Sequence, residues 1–417
     1  MTRPQRRPLL RLVAGAAPLG LLACSLACGG SPATTTDASA TSTAAPPASS
    51  SSGPPEPTST LSEETGLSGQ TSTAAVTGGT SGAAVTSGTS AVGTSSADTG
   101  GSSTGDTPKP PPPPGLEVFL TGDVDDAAVR PTGPALIVMG GGTDVDDAFE
   151  WQKQYIAGGD VVILRTSGSD GYNDYLYGEI GGVDSVETLV VTSKELASDP
   201  YVAWTIAHAE AVFMAGGDQS TYLLAWKDTP VEDAIMTVWQ RGGVVGGTSA
   251  GTAVLGELIY AAYNDSTIED EALLDPFNKY MSFERDFLAL PPLAGVITDT
   301  HFTARRRLCR LIAFVARMVE DGWGDPVVGI GVDEETALVV DPSGLGTVLG
   351  VGDVHVLHSA GAPLQCVAGK TLEYADLDWY VLGPGETVQL PGAVPMGAPM
   401  KLSASMGALD PAYDCSK

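Results

Sequence analysis

No aromatic residue precedes Phe119: the 8 Phe, 12 Tyr and 6 Trp of this 417-residue chain all lie at or beyond it. A stretch that long without a ring has almost nothing to bury, which excludes a packed core in the first 115 residues. Positive charge is the second scarcity. The chain carries 21 Lys and Arg against 50 Asp and Glu, a formal charge of −29, and residues 116–417 alone hold 44 acids and 16 bases. Nucleic-acid affinity needs clustered cations facing phosphate, so that class of partner is excluded. Histidine and cysteine are sparse too, at 4 and 5. Among Cys309, Cys366 and Cys415, the cysteines outside the N-terminal region, no pair has metal-ligand spacing, and the chain calls for no metal and no other cofactor.

What is present at the start reads as an address and a tether. Arg3, Arg6, Arg7 and Arg11 precede an apolar run over residues 12–23. That run is too short to span a bilayer and fits a secretory signal. Leu21-Leu22-Ala23-Cys24 resembles the lipobox of bacterial lipoproteins, in which the Cys is lipidated; Ser25-Leu26-Ala27-Cys28 is a second candidate. Residues 1–28 are therefore expected to be a lipoprotein signal peptide. Residues 29–115 are rich in Ser, Thr, Ala, Gly and Pro and end on the prolines 110–114, which predicts a disordered tether. The expected location is the bacterial cell envelope, lipid-anchored at the outer membrane or cell surface, or outside the cell after secretion. Membrane contact would run only through the lipid. Export agrees with an oxidising compartment, where Cys366 and Cys415 are candidates for a disulfide and Cys309, in a helical pattern, reads as a buried thiol.

Beyond residue 116 the pattern becomes that of a folded domain. Short apolar runs at 135–139, 161–164, 188–191, 211–215, 244–245, 294–297 and 327–332 alternate with amphipathic stretches such as 231–241 and 306–320. This predicts an α/β fold over 116–340, a largely parallel sheet covered by helices on both faces. Residues 341–417 read as a β-rich extension of the same domain.

Ligands of such sheets bind beyond the carboxyl ends of the strands. Three Gly-rich turns fall there: Gly140-Gly141-Gly142, Gly216-Gly217-Asp218-Gln219 and Gly247-Thr248-Ser249-Ala250-Gly251. The third is a G-x-S-x-G between an apolar strand and a helical stretch expected at 252–259, the context of a nucleophile elbow. Ser249 would project from the bend, with the Ala250 amide available to an oxyanion. A serine needs a base. His208 sits in a helical pattern, His355 and His358 lie in the β-rich extension, and His301 follows a predicted strand at the edge that carries Ser249. Glu334, in Gly329-Ile330-Gly331-Val332-Asp333-Glu334-Glu335, is one of the carboxylates able to orient that imidazole. Arg305, Arg307 and Arg310 follow His301. They do not share a helix face and converge only if the helix begins near Arg307.

Together Gly-Gly-Asp-Gln, Gly-Thr-Ser-Ala-Gly, Asp-x-His-Phe-x-x-Arg-x-Arg-x-x-Arg and Gly-Ile-Gly-x-Asp-Glu resemble cyanophycinase-like serine peptidases of family S51. These are relatives of the α-aspartyl dipeptidases, with a fold similar to class I glutamine amidotransferases. The resemblance covers about 134–340. It implies Ser249 as nucleophile, His301 as base and Glu334 as the acid that orients it. Amides of Gly217 or Asp218 with Ala250 would form the oxyanion hole, and Gln219, Asp299, Arg305, Arg307 and Arg310 would bind substrate. Thr300, beside them, departs from the family, which has Gln at that position; this changes the hydrogen-bonding groups of the pocket. The implied activity is exopeptidase cleavage of β-aspartyl-linked peptides or a polyaspartate-type substrate, such as cyanophycin to β-Asp-Arg dipeptides. A homodimer is compatible with this reading.

Two other readings are open from sequence. A lipase or esterase of α/β-hydrolase type would share the G-x-S-x-G but needs His355 or His358 as its base. A surface-binding lipoprotein could keep the fold and lack turnover. Asp144-Val145-Asp146-Asp147 lacks the Gly and Glu of an EF-hand and reads as carboxylates at a helix start.

Overall fold

The computed structural model describes residues 108–416. The expected signal peptide with Cys24 and Cys28, and the expected tether up to residue 107, lie outside the described residues. Among the described residues no helix is long and apolar enough to cross a membrane.

The fold is α/β, as the apolar runs predict, and every one of the seven runs contains or overlaps a strand. The parallel strands are divided between two sheets. In the first, Ser185–Val190, Val161–Arg165, Ala211–Met214, Val244–Thr248 and Ala135–Met139 are parallel neighbours in that order. In the second, Leu258–Tyr260, Val296–Asp299 and Val328–Val332 are parallel. The chain passes between them at residues 333–335. The strand Thr336–Val340 then returns to the first sheet and pairs antiparallel with Ala135–Met139. This return carries one connection from the carboxyl ends of one parallel set to those of the other. The seam between the two sheets is where the strand ends meet.

The strands after residue 340 extend both sheets by antiparallel pairing. Leu345–Gly350 and Thr387–Gln389 lengthen the first, while Val354–His358, Tyr374–Leu382 and Met400–Ser405 lengthen the second.

Helices form where the 3.6-residue period is kept and caps are available. Pro230–Gln240 starts with Pro at its first turn and the Thr229 side chain accepting from the Val231 amide. Leu308–Glu320 buries Leu308, Leu311, Ile312, Val315 and Met318 on one face. Full burial of each such side chain stabilises by about 1.5–3 kcal/mol. Leu311 lies over Gly329, where any Cβ would approach it to 2.9 Å. The acidic start at Asp146 and Asp147 opens the helix Asp146–Ile156, in line with the macrodipole.

Two expectations are corrected. The helix expected at 252–259 lasts only Ala250–Ala253, after which the chain turns into Leu258–Tyr260. Thr252 draws the chain back, its hydroxyl facing the carbonyls of Met139 and Gly247. At Gly256 a Cβ would come within 2.6 Å of the Val296 carbonyl oxygen, so the backbone passes too close to continue a helix. The second correction is the disulfide. Cys415 bonds to Cys309, with Cα atoms 5.9 Å apart, and Cys366 is a buried free thiol. Burial pushes that thiol up to about 12. Residues 413–416 run past the start of the Leu308–Glu320 helix, which brings Cys309 and not Cys366 within reach.

Candidate active site

The nucleophile elbow is built by close backbone packing. Ser249 ends the Val244–Thr248 strand with φ 52°, ψ −114°, a left-handed φ that side chains adopt only when their surroundings enforce it. The surroundings are tight. A Cβ on Gly251 would lie 2.0 Å from the Met214 carbonyl oxygen, and one on Gly247 would lie 2.6 Å from Gly251. The two glycines of the motif therefore let strand, bend and helix start overlap, with Ser249 at the apex. Its amide donates to the Met139 carbonyl at 3.2 Å.

His301 comes from the second sheet, just past Val296–Asp299, also with a positive φ of 48°. Its amide donates to the Gly140 carbonyl at 2.8 Å, and the Glu335 amide donates to the Gly141 carbonyl at 2.9 Å. The turn after Ala135–Met139 thus ties Ser249, His301 and the Glu334–Glu335 step together by main-chain bonds. That role was not visible in the sequence, where Gly140-Gly141-Gly142 was one glycine turn among three.

The side chains meet accordingly. Ser249 Oγ lies 2.8 Å from His301 Nε2, and His301 Nδ1 lies 2.6 Å from Glu334 Oε1. In the neutral imidazole, Nδ1–H donates to Glu334 and leaves Nε2 as acceptor for the serine hydroxyl. Burial lowers the His301 pKa, the Glu334 hydrogen bond opposes this, and Arg305 and Arg307 lower it further. The net shift is downward, so the base form prevails near neutral pH.

The other histidines are elsewhere. His355 Nε2 faces the Thr303 hydroxyl at 3.2 Å, His358 Nε2 faces the Ala393 carbonyl at 2.7 Å, and His208 stacks on Trp204. Neither base required by an esterase contacts Ser249.

Beside the triad opens a cleft of about 450 Å³. Gly217, Asp218, Gln219 and Ala250 line one wall, and Asp299, Thr300, Arg305, Arg307 and Arg310 line another. Every residue proposed for substrate or oxyanion contact thus borders one space. The arginines converge because the helix starts at Leu308, so Arg305 and Arg307 precede it on the loop. A Cβ on Gly216 would sit 3.5 Å from Ser249 Cβ, which places the Gly-Gly-Asp-Gln turn against the nucleophile.

The arginines are not equivalent. Arg310 is buried and grips Asp299 with both Nε, at 2.7 Å, and Nη2, at 2.5 Å. Arg307 reaches the same carboxylate at 3.3 Å and the Thr300 carbonyl at 2.7 Å. Burial alone would raise the Asp299 pKa; Arg310 and then Arg307 outweigh it and hold the carboxyl below its ordinary value. Asp299 therefore acts through the arginines, fixing their forks, while Arg305 is exposed at the cleft.

The far wall comes from the stretch 260–292, whose run of acids over 265–275 reads in sequence as a lid or surface loop and names no site residue. Tyr260, Tyr263, Asp265 and Ser266 line the cleft, Arg310 packs 5.2 Å from the Tyr260 ring, and its Nη1 donates to Ser266. The acidic run marks the segment in sequence, and its contact with Arg310 is what brings these residues into the cleft.

Asp333, Asp353 and His355 each bring one possible metal-ligand atom within 4.8 Å of the others. Both Asp333 oxygens already accept main-chain hydrogens, from Thr303 and Asp353. Burial would raise Asp333, yet hydrogen bonds from His355, Thr303 and Asp353 bring it down to about 2. This donor set suits a hydrogen-bonded brace of the His301 loop.

Comparison with known proteins agrees with the motifs. The model of peptidase family S51 matches residues 176–346. The chain is 30% identical over 214 residues to a cyanophycinase of Synechococcus elongatus, covering 50% of this chain and 62% of that protein. It is 32% identical over 178 residues to a cyanophycinase of Trichormus variabilis, covering 42% and 54%. The chain thus spans about three-fifths or less of the length of these relatives. Among solved structures, a peptidase from an acI-B1 Actinobacterium aligns with TM-score 0.42 at 19% identity, over 62% of this chain and 97% of that one. The resemblance to cyanophycinase-like peptidases of family S51 is borne out.

Proposed function

We propose that this chain is a serine-type exopeptidase that hydrolyses β-aspartyl-linked peptides. The observation that carries the reading is the hydrogen-bonded Ser249–His301–Glu334 relay opening onto an arginine-lined cleft. Ser249 Oγ attacks the carbonyl of an aspartyl unit while His301 Nε2 accepts its proton. The carbonyl oxygen becomes an oxyanion received by amides of Ala250 and of Gly217 or Asp218. His301 then returns the proton to the leaving amine, and water repeats the sequence on the acyl-enzyme. Glu334 keeps the imidazole in the tautomer these steps need and stabilises the imidazolium between them.

The cleft suits an anionic substrate end. Arg305 presents a guanidinium to the opening, and Arg307 and Arg310 add a positive field in a domain that is otherwise acidic. The cyanophycinase relatives support an aspartyl-linked peptide, with cyanophycin as one candidate. Thr300 in place of the family Gln argues that the preferred substrate differs in the groups it offers at that wall. The N-terminal sequence supports a location in the bacterial envelope, through a lipid on Cys24 or Cys28, and a homodimer is compatible with the reading. The test is incubation of the purified full chain with cyanophycin and a panel of β-aspartyl dipeptides, beside Ser249→Ala. Release of amino acids or dipeptides by the unaltered chain alone is expected; no cleavage of any of them overturns the substrate assignment.

A further inference from the structure

The loop that carries Arg305 and Arg307 into the cleft is exposed over residues 303–306, and Arg306 holds a left-handed φ of 54°. A non-glycine residue keeps that conformation only when its surroundings hold it. The loop's first residues are braced from within, by the Thr303 amide on Asp333 at 2.8 Å and by the Phe302 amide on the Val332 carbonyl. Its outer part is held from residues 413–416. The Arg306 guanidinium donates to the Asp414 carboxylate and to the Ser416 carbonyl. Three residues on, Cys309 is bonded to Cys415. Tyr413 meets the Trp379 ring edge-on at 6.4 Å, Trp379 stacks on His355 at 5.8 Å, and His355 lies 4.6 Å from Phe302, the neighbour of the catalytic histidine. One short segment therefore touches the arginine loop at its crest and its helix end, and reaches its start through two rings.

We propose that residues 413–416 form a strap that positions Arg305 and Arg307 for substrate, with Asp414 and Cys415 as positioning residues. The inference rests on the reading of the arginine-lined cleft as the peptide site. The strap touches neither Ser249 nor the cleft itself. It limits the freedom of the Arg306 backbone, and so the directions in which the side chains on either side of it project. A long cation fixed before substrate arrives loses less entropy on binding than one that must be ordered at that moment. Loosening the strap should weaken binding and leave the chemical step alone.

The experiment compares the full chain with Asp414→Asn, Asp414→Glu and Cys415→Ser. Three readouts are taken: KM and kcat on an aspartyl peptide, the rate of fluorophosphonate labelling of Ser249, and amide hydrogen exchange over residues 303–307. Asp414→Asn and Cys415→Ser are expected to accelerate exchange in that loop and to raise KM by roughly two- to tenfold, the size of one side chain's ordering. kcat and labelling should stay within about twofold, and Asp414→Glu should restore the original KM. Unchanged KM in both variants, or a fall in kcat and labelling alongside it, overturns the strap as a positioning element. Should Cys415→Ser not fold, Asp414→Asn decides, since the Arg306–Asp414 pair is solvent-exposed. Should the unaltered chain cleave no aspartyl peptide, the functional reading has failed. Loop exchange then decides the strap by itself: acceleration supports it and no change overturns it.

Discussion

A Cβ on Gly141 would lie 2.6 Å from both Cε1 and Nε2 of His301, and 3.1 Å from Ser249 Cβ. The glycine leaves the space in which base and nucleophile meet, and its φ of 94° suits no other residue well. The carbonyls of Met139 and Gly140 accept the amides of Ser249 and His301, and that of Gly141 itself accepts the Glu335 amide. Gly141→Ala is expected to push the imidazole, the nearer of the two, off the serine. A displacement near 1 Å costs about 10²-fold in rate, so kcat should fall by that order while the variant still folds. Steady-state kinetics beside a circular dichroism melt check both halves.

The pH profile reports the same pair. Protonated His301 cannot accept the serine proton, so activity rises with pH through the His301 pKa. Burial, with Arg305 and Arg307, moves that pKa below the ordinary 6.5. The acid limb of kcat/KM should therefore have its midpoint below 6.5. Glu334→Gln removes a carboxylate that raises the pKa, so the limb should move further down. The rate should also fall by roughly 10²–10⁴-fold as control of the tautomer is lost.

Asp299 is a stability prediction as well as a functional one. Its carboxylate and Arg310 are both buried and bonded through two guanidinium nitrogens. Removing one partner of a buried pair typically costs about 3–5 kcal/mol, because the other charge is left uncompensated. Asp299→Ala should show a loss of that order in urea unfolding, larger than the loss from truncating exposed Arg305. The same exposed arginine should instead change KM.

Thr300 tests selectivity. It lines the cleft beside His301 with a short hydroxyl where the family carries an amide. Thr300→Gln is expected to raise kcat/KM on cyanophycin by roughly tenfold relative to the unaltered chain, the scale of one recovered hydrogen bond. Competition between cyanophycin and a β-aspartyl dipeptide measures the change directly.

Much of this site was legible because its chemistry sits in short motifs at strand ends. G-x-S-x-G, the histidine after a strand and the Gly-Ile-Gly-x-Asp-Glu run each point to an edge of the sheet by themselves. The split into two sheets was not legible, since strand pairing depends on where Thr336–Val340 returns, and apolar alternation does not encode that. The disulfide partner of Cys415 is not legible in the sequence for a similar reason: spacing says nothing of which helix residues 413–416 pass. The short helix after Ser249 shows tertiary contacts overriding local propensity, through the Thr252 hydroxyl and the crowding at Gly256. Tyr260 and Ser266 belong to a cleft wall with no motif, and only their proximity to Arg310 brings them into the site.

The most direct test of the account is the site and rate of fluorophosphonate labelling. The full chain should gain one adduct, mapped by peptide mass to Ser249, and His301→Ala should slow its formation by at least about 10²-fold. Absence of an adduct, an adduct that survives Ser249→Ala, or undiminished labelling in His301→Ala would contradict the assigned triad.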